Sequence, residues 1–252
     1  MNNLAIAFPE KNIEERKQIA KRFYKNLIDS FIETIKLLSI SKQRLNKRLT
    51  WNAENLNQHY ASGKNVQLHL GHFFNWEYAN FALSLKSDFP VLIVYMPVIN
   101  KVIDKLFYKL RTRFNAKMVA ATHFRRDLAP YSKSKYCIVF VADQNAGVAD
   151  NAYWSNFFNK PAPFVTGPEK SARLNNCIVY FIKFIKLKRG FYHADFILLT
   201  DAPRSLPEGE LTKRMIAEME SSIKEKPANY LWSHRRWKHE YVPEKHERLM
   251  IN

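Results

Sequence analysis

The chain is poor in the residues that would announce several common chemistries. It has two cysteines in 252 residues, and Cys137 and Cys177 each lie inside an apolar, strand-like run. They offer neither a disulfide framework nor a metal-ligand spacing, and read as reduced core residues of a cytosolic environment. Six glycines are too few and too scattered for a phosphate-cradling loop, so no nucleotide or other cofactor is expected. Long apolar runs are missing too. The longest uncharged apolar stretch, residues 89–100, is too short to span a bilayer, no secretory signal opens the chain, and there are no internal repeats.

Acidic residues are in short supply: 23 Asp and Glu stand against 40 Lys and Arg, a formal charge of +17. The natural partner is therefore anionic, whether nucleic acid, an anionic membrane surface or a phosphorylated lipid. The basic residues are spread without long polybasic runs, and neither zinc-finger spacing nor an RNA-recognition signature is present, so no nucleic-acid partner is expected.

What is present suits a large core. With 46% hydrophobic and 14% aromatic residues, the chain is expected to form one α/β domain spanning residues 1–252, with a helical segment over about 1–64 ahead of an α/β core over about 65–252. The centre of the pattern is VQLHLGHFFNWE, residues 66–77. Val66, Leu68 and Leu70 alternate as in a strand, Gly71 permits an unusual turn, and Asn75 can cap a helix through Tyr78, Phe81, Ala82 and Leu85.

Residues advance about 100° each around a helix, so His72 and Glu77 would stand roughly 140° apart on a single one. They meet only if His72 lies in the turn after a strand, where open α/β sheets bind ligands, and Glu77 in the following helix. A neutral imidazole there takes a proton from a hydroxyl, and a carboxylate on its other nitrogen fixes the tautomer. The competing reading is a core histidine bonded to a backbone carbonyl, with Glu77 on a solvated face.

Along the rest of the chain, residues 13–40 carry Ile19, Phe23, Leu27, Phe31, Ile35 and Leu38 at helical spacing, a stripe expected to pack into the core. Residues 41–64 are polar with a short helix. Strands are expected at 89–95, 117–121, 136–142 and 177–185, and a hairpin through the basic turn of Lys183, Lys186, Lys188 and Arg189 into 191–199. Residues 100–114 read as a helix closed by Arg111 and Arg113. Asp143 and Gln144 end a buried strand, which makes Asp143 either a site residue or a turn cap. Residues 145–164 look loop-rich and aromatic. Thr166 and Glu169 fit a capping box, and Ser205 to Glu208 can cap a last helix over 211–226. The tail YLWSHRRWK, residues 230–238, could stack on a headgroup or pack across the sheet.

Six stretches resemble one family and stand in its order: NLAIAFPEK, GHFFNWE, VYMPVINKVIDKLFYKLRTRF, ADQNAG, KPAPFVTGPEKSAR and LWSHRRWK. The chain resembles the late (lauroyl/myristoyl) acyltransferases of lipid A biosynthesis, whose fold is that of the glycerolipid acyltransferases. The resemblance implies a mixed, mostly parallel central sheet flanked by helices. His72 would be the general base of an H-x4-D/E motif and Glu77 its orienting carboxylate. Arg111 and Asp143 fall on functionally required positions with Arg113 beside them, and Glu169 and Lys170 lie in a segment that closes over the site.

The implied donor is an acyl carrier protein thioester. The acceptor is a hydroxyl on an acyl chain of a Kdo-bearing lipid A precursor, and transfer needs no covalent enzyme intermediate. Arg111 and helix-terminal N–H groups would hold the oxyanion, and side chains near Trp76 and Phe158 the acyl chain. The implied location is the cytoplasmic face of the bacterial inner membrane. Members normally begin with a hydrophobic membrane helix, and this sequence starts just after where that helix would end, so a peripheral or truncated form is expected.

Met96 stands where the family usually has arginine. That departure keeps open the same chemistry on another acceptor, an aminolipid or a mannosylated phospholipid. A non-catalytic basic module binding anionic lipid or nucleic acid is the third reading, and its function would survive His72→Ala.

Overall fold

The computed structural model describes residues 1–52 and 54–251. In chain order the elements are α1 (Asn2–Ala7), α2 (Ile13–Leu37), α3 (Lys42–Asn46), β1 (Leu49–Trp51), α4 (Glu54–Ser62), β2 (Val66–Leu70), α5 (Trp76–Lys86) and β3 (Val91–Tyr95). There follow α6 (Lys101–Arg111), β4 (Lys117–Ala120), α7 (Phe124–Leu128), β5 (Cys137–Val141), β6 (Tyr153–Phe157), β7 (Lys160–Phe164), α8 (Gly167–Asn175), β8 (Ile178–Lys188), β9 (Phe191–Thr200), α9 (Glu210–Glu225) and α10 (Pro243–His246).

The fold is α/β. A seven-stranded sheet runs β1-β9-β8-β2-β5-β3-β4, and β6 and β7 form a separate hairpin. The β8–β9 pair is antiparallel and every other pair in the large sheet is parallel. Helices flank the sheet: α5 packs on β3 and against α3 and α6, whereas α9 packs on β8 and β9. Covered strands of a parallel sheet need not alternate. In β2 all five residues are buried, including Gln67 and His69, and the Gln67 amide donates to the Pro168 carbonyl at 2.7 Å.

Three expectations are revised by packing. The first concerns α2, which ends at Leu37 and whose apolar stripe splits. Phe23 enters the core, but Phe31, Ile35 and Leu38 are exposed. The helix instead turns a polar row inward. Asp29 pairs with Lys186 at 2.9 Å and with Arg189 at 2.8 Å, and Glu33 accepts a hydrogen bond from the Tyr192 hydroxyl. The second is the short strand β1, hidden in the polar stretch after α2, where three residues pair with β9. The third is the β6–β7 hairpin, in the segment that looked like loop. Pro161 and Pro163 mask β7, yet proline is tolerated where a strand lies at an edge.

Gly71 serves close approach more than turn conformation. A Cβ there would come within 2.8 Å of the buried Phe73 ring. Among the described residues, no helix is long and apolar enough to cross a membrane.

Candidate active site

The site forms at the carboxyl ends of β2 and β5, which lie side by side in parallel with Leu70 opposite Val141. His72 and Asp143 each stand two residues past that last matched pair, so the topology delivers both to one place. The His72 Nδ1 lies 2.5 Å from Asp143 Oδ1. An ionised carboxylate only accepts hydrogen bonds, so Nδ1 carries the ring proton and Nε2 is left with its lone pair. The Gln144 amide nitrogen is the group facing Nε2, at a long 3.4 Å.

Asp143 is 1% exposed. Burial pushes its carboxyl up, but the charge of His72 and its hydrogen bonds outweigh this, and the net position is below the ordinary aspartate value. The His72 ring packs edge-on against Trp76, with centroids 5.0 Å apart.

Glu77 does not hold His72. Its buried carboxylate accepts from Arg111 Nη2 at 2.7 Å, from Arg111 Nε at 3.2 and 3.1 Å, and from Trp76 Nε1 at 3.1 Å. The histidine's carboxylate comes from the neighbouring strand, and Glu77 acts on the site through its two partners: it fixes the indole beside His72 and ties α6 to α5. Burial disfavours the Arg111 charge, but Glu77 more than compensates and raises its pKa. Arg111 Nη1 has no hydrogen-bond partner among the described residues. Asn75 caps α5 as expected, accepting from Glu77 N at 3.1 Å, and its amide also reaches the Ser30 carbonyl of α2 at 3.3 Å.

The other expected residues lie elsewhere. Arg113 turns to α2 and donates to the Leu37 carbonyl at 2.5 Å. Glu169 is buried and caps α9, accepting from Gly209 N at 2.7 Å, Thr212 N at 3.0 Å and Thr212 Oγ1 at 2.6 Å. It therefore serves the start of α9 instead of the expected capping box of its own helix, and neither Thr166 nor Gly209 makes a side-chain cap bond. Lys170 is exposed on α8. Residues just ahead of these two do reach the site: Val165, Gly167 and Pro168 form one wall of a cavity of about 380 Å³. Val94, Tyr95, Ala121, Phe124 and Phe140 complete its apolar lining, Ala142 and Gln144 connect it to the histidine, and Met96 stands in its wall. Trp76 and Phe158 are not in the lining; Phe158 packs on Phe8 instead, with centroids 5.7 Å apart.

Sequence reasoning passed over the tail as a site element. Tyr230 bridges to Phe73, and Leu231 N donates to the His72 carbonyl at 3.1 Å. The Tyr230 phenol is pushed far up by burial and by the charge of Asp143. His234 Nε2 accepts from Asn145 N at 3.2 Å, and burial lowers its pKa. The buried Arg236 donates to Asn145 Oδ1 at 3.1 Å and to the Pro163 carbonyl at 2.9 Å, and lies over the Phe164 ring at 4.1 Å. The first segment of the chain holds this tail in turn: the Asn3 amide donates to the carbonyls of Trp232 and His234 at 2.9 and 2.6 Å. The signal available was the mixture of aromatic and basic residues in 230–238, which suits burial of cations against rings.

Among the described residues, no group of three or more His, Cys, Asp or Glu is placed to hold a metal ion. The chemistry the arrangement supports is proton abstraction by His72 Nε2 beside an apolar slot. Residues 1–239 match the family described as bacterial lipid A biosynthesis acyltransferase. Over 239 residues the chain is 22% identical to a lipid A biosynthesis palmitoleoyltransferase of Escherichia coli (strain K12), covering 94% of this chain and 76% of that protein. It is equally similar, with the same coverage, to a lipid A biosynthesis acyltransferase of Shigella flexneri.

Proposed function

Because the chain belongs to the bacterial lipid A biosynthesis acyltransferase family, we propose that it moves a fatty acyl chain from an acyl carrier protein thioester to a hydroxyl of a Kdo-bearing lipid A precursor, with His72 as general base. The observation that carries this reading is the 2.5 Å His72–Asp143 hydrogen bond at the mouth of an apolar cavity. The acceptor hydroxyl takes the place of the long Gln144 contact and gives its proton to Nε2. The oxygen attacks the thioester carbonyl, and Asp143 stabilises the imidazolium that forms. Collapse of the tetrahedral intermediate breaks the C–S bond, and the imidazolium returns the proton to the departing thiolate. No enzyme nucleophile takes part.

Arg111, with Nε and Nη2 committed to Glu77, offers Nη1 to an anion on the substrate or to the developing oxyanion. The acyl chain lies in the 380 Å³ cavity, within the usual size range of ligand sites. An acidic carrier suits a separate open groove of about 1090 Å³ between α2 and the β8–β9 turn, where Lys11, Arg22, Lys25 and Lys188 gather. The apolar cavity and the proposed lipid acceptor both favour work at the inner membrane surface.

The test is transfer from a panel of acyl carrier protein thioesters to the Kdo-bearing precursor, comparing wild type, His72→Ala and Asp143→Asn. Product from wild type, with a loss of at least about 100-fold in both variants, supports the reading. Equal activity in all three removes it.

A further inference from the structure

Helix α6 is well formed but buries almost none of itself: Leu110 is its one buried residue. Val102 is 77% and Leu106 44% exposed, one turn apart on the same face, and Ile99 in the turn just ahead of the helix is 96% exposed. The display is held in place by order. Asn100 caps the helix, accepting from Val102 N at 3.0 Å and Ile103 N at 3.2 Å, and Asp104 Oδ1 accepts from Val98 N at 2.8 Å, which pins the preceding turn. The exposed Lys101, Lys105 and Lys109 recur every fourth residue beside the apolar row.

A second row stands on α2, where Phe31 is 63% and Ile35 68% exposed. It faces out because the polar row of α2 is committed to β8 and β9. The two helices are tied near their C-terminal ends by Arg113, which reaches from the segment after α6 to the Leu37 carbonyl at 2.5 Å.

We propose that these two rows form a docking face for an anionic lipid bilayer, seated so that the acyl cavity opens at the hydrocarbon boundary. The inference rests on the acyl-transfer reading for its choice of acceptor. A bilayer fits better than a protein groove because aliphatic side chains flanked by a regular row of lysines match acyl tails below and anionic headgroups above. The net charge of +17 adds attraction over the whole surface. Two connections couple the face to the chemistry. Met96 is exposed and also stands in the cavity wall, so the apolar surface continues inward. Arg111, on the same helix, is bonded to Glu77 beside Trp76.

The experiment is co-sedimentation with vesicles of phosphatidylglycerol and phosphatidylethanolamine, and with phosphatidylcholine vesicles, for wild type, Ile99→Glu/Val102→Glu/Leu106→Glu and the milder Ile99→Ser/Val102→Ser. Circular dichroism checks the fold of each. Wild type is expected to bind anionic vesicles in a salt-sensitive way, and the triple variant at least about tenfold more weakly, since three aliphatic side chains no longer enter the hydrocarbon. Acyl transfer to precursor in vesicles should fall in parallel, while transfer to precursor in detergent micelles is kept. Folded variants that bind like wild type overturn the proposal, as does a wild type that ignores vesicles, or a dimer in solution that the substitutions dissociate. Wild type that binds through this face but transfers no acyl chain leaves the docking face standing and removes the acyl-transfer reading.

Discussion

Asp143 reaches His72 because Leu70 and Val141 are register partners on adjacent parallel strands, and each of the two side chains stands two residues further on. The pairing is thus a property of strand order, and it divides labour between two carboxylates: Asp143 holds His72, and Glu77 holds Trp76 and Arg111 beside it.

That division separates two variants. Asp143→Asn is expected to lower kcat by about 100-fold or more with little change in KM, because the imidazole loses the partner that fixes its tautomer. Glu77→Gln is expected to destabilise the fold by about 2 kcal/mol, since the partly buried Arg111 guanidinium loses its counter-charge. Steady-state kinetics beside chemical denaturation distinguish them; the idea fails if Glu77→Gln leaves stability intact while abolishing kcat.

Asp143 also gives an acid signature. Its folded pKa is depressed, so its contribution is present above the unfolded value of about 3.9 and is lost as pH falls through the folded one. The stability gap between wild type and Asp143→Asn should therefore narrow below about pH 4. Denaturation curves between pH 3 and 7 test this, and a gap that widens in acid contradicts it.

His69 makes a second pH prediction with a different window. Burial pushes it from 6.5 down to about 3, so the unfolded chain binds its proton first, and stability drains away as pH falls below about 6.5. Between pH 7 and 5 the loss is ~2 kcal/mol for this one group. His69→Leu should remove that part of the slope, read as the difference in urea midpoints at the two pH values.

Glu169→Ala should cost about 2 kcal/mol by uncapping α9, with kcat and KM measured below the melting temperature almost unchanged. A selective rise in KM at full stability would return Glu169 to the substrate site that the resemblance suggested.

Filling the cavity should change the donor. Ala121→Phe is expected to shift preference toward shorter acyl chains, by about fourfold for each methylene excluded, the equivalent of about 0.8 kcal/mol. Competition between carrier-bound thioesters of different length reads the shift directly.

Much of the fold was legible in residue pattern. The strand before His72, the cap at Asn75 and the hairpin at Arg189 all depend on local spacing and turn chemistry. The placement of His72 was legible for the same reason, since a histidine just beyond a strand is a local feature. Its carboxylate partner was not: spacing favours Glu77 five residues away, whereas the contact is made by Asp143, 71 residues away, through sheet order. The α2 stripe misled because periodicity marks an apolar face without saying what will cover it, and Asp29 and Glu33 had stronger reasons to turn inward. Glu169 misled through a local capping pattern that a distant helix end satisfies instead.

The tail bonded to the His72 loop has a consequence in time. Tyr230 and Leu231 pair with residues 73 and 72, so the loop is latched only after about 160 further residues have been made. At 5–20 residues per second this is roughly 8–30 s of synthesis during which the loop has no latch. Asn3, made before that loop, waits longer still for the carbonyls it holds. A nascent chain therefore cannot complete the His72 loop until residues 230 and 231 have emerged from the ribosome.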